Sequence, residues 1–179
     1  MSEAGTSNTG RTSSRPPNGA DSRDAALQKL KQTASEAEAL ASSLERVPDE
    51  LIWQRPGGSP SIAELLWFIH LADEFRFRPV ADAILHGDEP RVEHVNAAVL
   101  LGTDPAPDDN LQGILDRIVE SREKLLDKLE QIPERAWTVG SVVEEGVEVT
   151  VGMFAEDIAA HDAEILREIG QRLFESNLS

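Results

Sequence analysis

A chain of 179 residues has room for one domain with one core. With 40% hydrophobic, 28% charged and only 4% aromatic residues and no Tyr, it suits a helical protein better than an aromatic-rich β-sandwich. A formal charge of -16 repels nucleic-acid phosphates and anionic lipid heads, so neither a nucleic acid nor a membrane surface is an expected partner. With no cysteine there is no disulfide framework, thiol nucleophile or thiolate metal site, and any metal has to sit on histidines and carboxylates.

Residues 1–22 are built of Ser, Thr, Gly, Asn and Pro and bury too little apolar surface to offset the entropy of ordering them. They read as a disordered tail ahead of one domain over 23–176. The tail's acids and bases cancel, so the folded part carries the acidic excess. The first residues lack the apolar core of a signal peptide, and the greasiest run, Leu65 to Ala72, is far short of the roughly 20 residues that span a bilayer. A cytoplasmic location is the expectation.

From Arg23, the residues Leu27, Leu30, Ala34, Ala37, Ala41 and Leu44 recur at spacings of three and four, which predicts a first helix ending before Pro48. Ser59 or Ser61 opens the second helix, with Pro60 nearby and Ser61 and Glu64 forming an S-x-x-E capping box. Its run from Leu65 to Ala72 is apolar almost all round except at His70, and Pro79 is expected to kink it before it resumes to about His86. A long, Pro- and Gly-containing connection follows from Gly87 to Asp109, in which only Val92 to Leu101 suggests a short helix or strap. Such a length lets the second and third helices run parallel. The third helix is predicted over Asn110–Gln131. The β-branched residues around Glu144-Glu145-Gly146 predict a small hairpin, and Val151, Phe154, Ile158, His161, Ile165 and Ile169 form the stripe of a fourth helix.

Two of the four histidines, His70 and His161, fall inside apolar midsections of separate helices, where an imidazole needs partners. A shared divalent metal would satisfy both, and so would a neighbouring carboxylate, carbonyl or water at each. His86 and His94 sit in or beside a polar connection and receive no role. Pro56-Gly57-Gly58-Ser59-Pro60 lacks the Lys-Ser/Thr of a phosphate loop and reads as a turn. Glu144, Glu145 and Glu148 lack the order of a calcium loop and read as a solvated tip.

Trp53, the run Ser61 to Glu74, Arg122 with Leu125 and Leu129, Trp137 and the run Ile158 to Ile169 together resemble the DinB-like superfamily over about residues 25–174. That resemblance implies an all-α four-helix bundle with a long crossover between helices two and three and a hairpin before helix four. It also implies a divalent metal, zinc or nickel, on three histidines. His70 matches the first of these positions and His161 the second, while the third falls on Ile165, which has no donor atom. Glu74, one turn after His70, and Glu164, three residues after His161, are the candidate accessory ligands, and Trp67 is a candidate pocket wall. The resemblance implies a metal-dependent hydrolase, or a thiol-dependent transferase or isomerase, acting on a small molecule. Ile165 implies the alternative: a non-catalytic bundle without the metal, binding a small ligand or serving as a homodimeric interaction module.

Overall fold

Apolar residues spaced by threes and fours give the first helix one face, and in the computed structural model Leu27, Leu30, Ala37 and Leu44 of that face are buried on α1, Gly19–Leu44. The structure describes residues 19–44, 46–87, 91–92, 97–107, 110–144 and 147–176. Of the predicted disordered tail, residues 1–18 lie outside this set, and α1 starts at Gly19 rather than Arg23.

After α1 comes a short helix that the apolar pattern does not announce, α2, Asp49–Trp53, started by Pro48 and two acids in its first turn. The Pro-Gly-Gly turn follows. Gly57 and Gly58 have φ of 58° and 84°, a conformation side chains rarely adopt, which is why two glycines stand there. The second predicted helix opens as α3, Ile62–Ala72, on the expected capping box. Ser61 Oγ accepts from the Glu64 N–H at 3.1 Å, and the Ser61 N–H donates to Glu64 Oε2 at 2.8 Å.

The predicted kink at Pro79 appears as a change of pitch rather than a break. A single π turn, Asp73–Phe77, joins α3 to α4, Arg78–His86, and the Arg78 N–H reaches back to Asp73 O. Pro79 has no N–H to give to the carbonyl four residues earlier, and the wider turn accommodates that loss. Gly87, at φ 81°, ends α4 with the left-handed cap such a stop favours.

The long connection carries β1, Arg91–Val92, and α5, Ala97–Thr103, which packs on α3. Asn110 caps α6, Leu111–Gln131, by accepting from the Gly113 N–H at 2.8 Å. The predicted hairpin is β2, Gly140–Glu144, with β3, Val147–Thr150. β1 adds a parallel third strand beside β2, with Arg91 opposite Val143, so the bundle is all-helical apart from this small sheet. Two residues are too few to show a period in sequence. The chain closes with α7, Val151–Ser176.

The four long segments pack α1 against α6 and α7, and α3 against α6 and α7. Their apolar residues form two clusters. One holds Leu30, Phe77, Leu125, Leu129, Ile158 and Ala159. The other holds Leu44, Leu71, Ile118, Ile165 and Ile169. On each long segment a buried polar residue falls at or next to the change from one cluster to the other: Thr33 on α1, Asp73 one residue past the change from Leu71 to Ala72, Ser121 and Arg122 on α6, and Asp162 on α7.

Candidate functional site

The polar layer is held by one guanidinium. Arg122, 2% exposed, sends Nε to Asp73 Oδ2 at 2.9 Å and Nη2 to Asp162 Oδ2 at 2.8 Å, so it bridges two carboxylates from different helices. Ser121 Oγ reaches Asp73 Oδ2 at 3.5 Å, and Thr33 Oγ1 reaches Asp162 Oδ2 at 3.4 Å. Asp73 Oδ1 and Arg122 Nη1 are buried with no hydrogen-bond partner among the described residues. Burial pushes the Asp73 carboxyl up to about 7; Arg122 opposes the shift and the Asp162 charge adds to it. Burial works against the charge on Arg122, but Asp73 and Asp162 outweigh it and raise its pKa above the ordinary value.

This layer escaped the sequence reading, although its signal is present. Arg122 continues the inward spacing Ile118, Leu125, Leu129, and Asp162 stands in the same relation to Ile158, Ile165 and Ile169. A charge on an apolar stripe is buried only if a partner meets it, and the partners are dozens of residues away in the chain.

The two candidate histidines occupy different surroundings. His70, partly buried, places Nδ1 3.2 Å from the Arg117 carbonyl oxygen on α6, and its ring lies 4.4 Å from that of Trp67. A carbonyl only accepts, so Nδ1 carries the proton and Nε2 keeps the lone pair. Burial lowers the His70 pKa, with the Glu74 charge and the Arg117 carbonyl opposing the shift. His161 lies edge-on to Phe68 and Phe77, with ring centroids 5.1 and 5.4 Å away. Its Nδ1 is 3.5 Å from Asp162 Oδ1, and its Nε2 is buried without a hydrogen-bond partner among the described residues. The hydrogen-bond and ring contacts of the two histidines have no residue in common. Phe68, which meets His161, and His70 stand two residues apart on α3, so their side chains leave the helix about 200° apart.

At the third position Ile165 is 6% exposed and belongs to an apolar cluster. Glu164 is exposed, and Glu74 is paired with Arg78 one turn further on. Trp67 is buried and its indole N–H donates to Asp104 O at 2.9 Å, which fastens the end of the α5 segment to α3. Among the described residues no group of three or more His, Cys, Asp or Glu is placed to hold a metal ion. Of the three positions the resemblance implies for a metal, two carry an imidazole, in surroundings that share no residue, and the third, Ile165, carries no donor. A cleft of about 350 Å³ lies elsewhere, between Leu51, Gln54, Ile62 and Arg172, and neither histidine lines it. No helix among the described residues is long and apolar enough to cross a membrane.

Residues 29–169 match the DinB superfamily. The structure is similar to that of YfiT from Bacillus subtilis, described as a probable metal-dependent hydrolase with an unusual four-helix bundle topology. The TM-score is 0.61 at 12% identity, over 91% of this chain and 94% of that one. At that identity the likeness is one of fold. No curated protein matches the sequence.

Proposed function

Because the chain belongs to the DinB superfamily, we propose that it is a metal-dependent enzyme acting on a small molecule, by hydrolysis or by thiol-dependent transfer or isomerisation, with His70 and His161 as its protein nitrogens. The observation that most supports this reading is at His161. Its Nε2 is buried and unpartnered at the position where the family pattern calls for a ligand. Leaving such an atom unsatisfied costs about 1–3 kcal/mol, which a bound ion would offset. A zinc or nickel ion held there would supply Lewis acidity toward a substrate oxygen. Glu74 and Glu164 are within a turn of the histidines, and either would have to leave its present surroundings to join them.

A second reading is favoured by Ile165, whose side chain is packed among apolar neighbours and adds no donor. On that reading the bundle works without metal, as a small-ligand binder or a homodimeric module. Elemental analysis of untagged protein, repeated for His161→Ala, separates the two. The enzyme reading expects near-stoichiometric metal that the variant loses, and a melting temperature raised by added zinc or nickel. An ion at a hundred times its Kd adds about 2.7 kcal/mol. Metal-free protein whose melting ignores both chelator and added ion would overturn the enzyme reading and uphold the second. Ile165→His is expected to tighten metal binding, and no gain would show that the imidazoles do not face one ion.

A further inference from the structure

We propose that Asp162 and Arg122 are positioning residues: Arg122 fixes the Asp162 carboxylate, which in turn holds the proton of His161 on Nδ1 and leaves a bare lone pair on Nε2. The proposal deepens the reading of His161 as a functional group and rests on it.

The two oxygens of Asp162 are in different use. Oδ2 takes Arg122 Nη2 at 2.8 Å and, more weakly, the Thr33 hydroxyl at 3.4 Å. The Thr33 hydroxyl has one proton and a nearer acceptor in Leu30 O, at 3.0 Å, so the guanidinium is the principal anchor. Oδ1 is left facing His161 Nδ1 at 3.5 Å. A carboxylate held by a guanidinium accepts and does not donate, so the ring nitrogen opposite it has to be the protonated one. The ring cannot turn over cheaply, because Phe68 and Phe77 flank it edge-on. Nothing among the described residues donates to Nε2, and it is buried. The result is an imidazole with its basic nitrogen stripped of hydrogen bonds, suited to take an ion or a substrate proton. Arg122 itself is held by Asp73, through Nε at 2.9 Å, so the orientation of one ring on α7 traces back to a carboxylate at the end of α3.

The test is imidazole ¹⁵N NMR on the chelator-treated full chain at one fixed, mildly alkaline pH, with the His161 signals identified by their loss in His161→Gln. The wild type is expected to show Nδ1 protonated and Nε2 bare, as separate rather than averaged signals. Asp162→Asn keeps the shape but not the chemistry. Arg122 donates to one oxygen, so the amide oxygen turns to it and the NH2 turns to the ring. His161 Nδ1 must then accept, and the proton is expected to move to Nε2. Arg122→Lys keeps a cation that cannot fork to two carboxylates, and the two tautomers are expected to average. A polar layer with only a structural role would lower stability in these variants and leave the tautomer alone. The proposal is overturned if wild-type His161 carries its proton on Nε2, or if folded Asp162→Asn gives the wild-type pattern. Should Arg122→Lys fail to fold, the near-isosteric Asn variant decides alone. No metal is present in the measurement, so a protein that binds no metal can still show the expected tautomer. Metal uptake with the proton on Nε2 of the metal-free ring would sink this proposal while sparing the enzyme reading.

Discussion

Asp162 and Ile165 lie three residues apart on α7, both buried, yet one enters a charged layer and the other an apolar cluster. The difference shows how each kind of burial is specified. Ile165 is buried by the removal of apolar area from water, and any neighbour of the right volume serves. Asp162 is buried because one particular residue, Arg122, arrives from another helix, and without it the carboxylate would have to reach solvent or take up a proton.

The largest expected effect comes from removing that partner. Arg122→Met leaves Asp73 and Asp162 facing each other without a cation, and is expected to lose about 3–5 kcal/mol of unfolding free energy in a urea titration. A loss of well under 1 kcal/mol would mean that the layer does not depend on its guanidinium, and the contrast with the apolar cluster would collapse. Ile165→Ala probes the other side and is expected to cost about 3 kcal/mol by lost transfer energy and the cavity left behind. It should be additive with changes far from α7. A smaller loss would mark Ile165 as loosely packed and strengthen the case for a ligand in its place.

The pH dependence sharpens the comparison further, since Ile165 has none to contribute. The folded Asp73 carboxyl titrates at about 7, against an ordinary value of 3.8. Between these values the folded protein keeps a proton that the unfolded chain has released. The contribution of Asp73 is therefore fully present below pH 3.8 and is lost as the pH rises through about 7. Glu64 acts in the opposite sense. Burial raises its pKa, but the hydrogen bonds from Arg55 and Ser61 prevail and lower it, so its contribution is lost in acid. The informative quantity is the difference in melting temperature between wild type and Asp73→Asn. It is expected to change by a few degrees between pH 4 and 7 in favour of the wild type at the acid end. A flat difference would show that Asp73 is ionised throughout.

The helices could be read from the sequence because their evidence is local. The stripe from Leu27 to Leu44, the capping box at Ser61 and Glu64, and Asn110 before α6 each sit within a few residues of the structure they specify. Pro79 signalled a disturbance, and the π turn is the form it takes. The site was harder because its evidence is distant. His70 and His161 stand out as polar interruptions of apolar runs, but beside its local contact each ring takes a partner from another segment: Arg117 O for one, Phe77 for the other. Arg122 had the periodicity of a core residue and the chemistry of a surface one, and only the folded chain shows that the periodicity prevailed.

The π turn matters beyond accommodating a proline. It brings both Asp73 and Phe77, each 0% exposed, to the interior, the first toward Arg122 and the second against His161. Rewinding its five residues at ordinary pitch, with none removed, would swing the downstream half of the segment by roughly 90° relative to the upstream half. The charged layer and the aromatic wall beside the imidazole would then fall out of phase. The pitch of this one turn therefore sets the charged layer and the aromatic wall in register with each other.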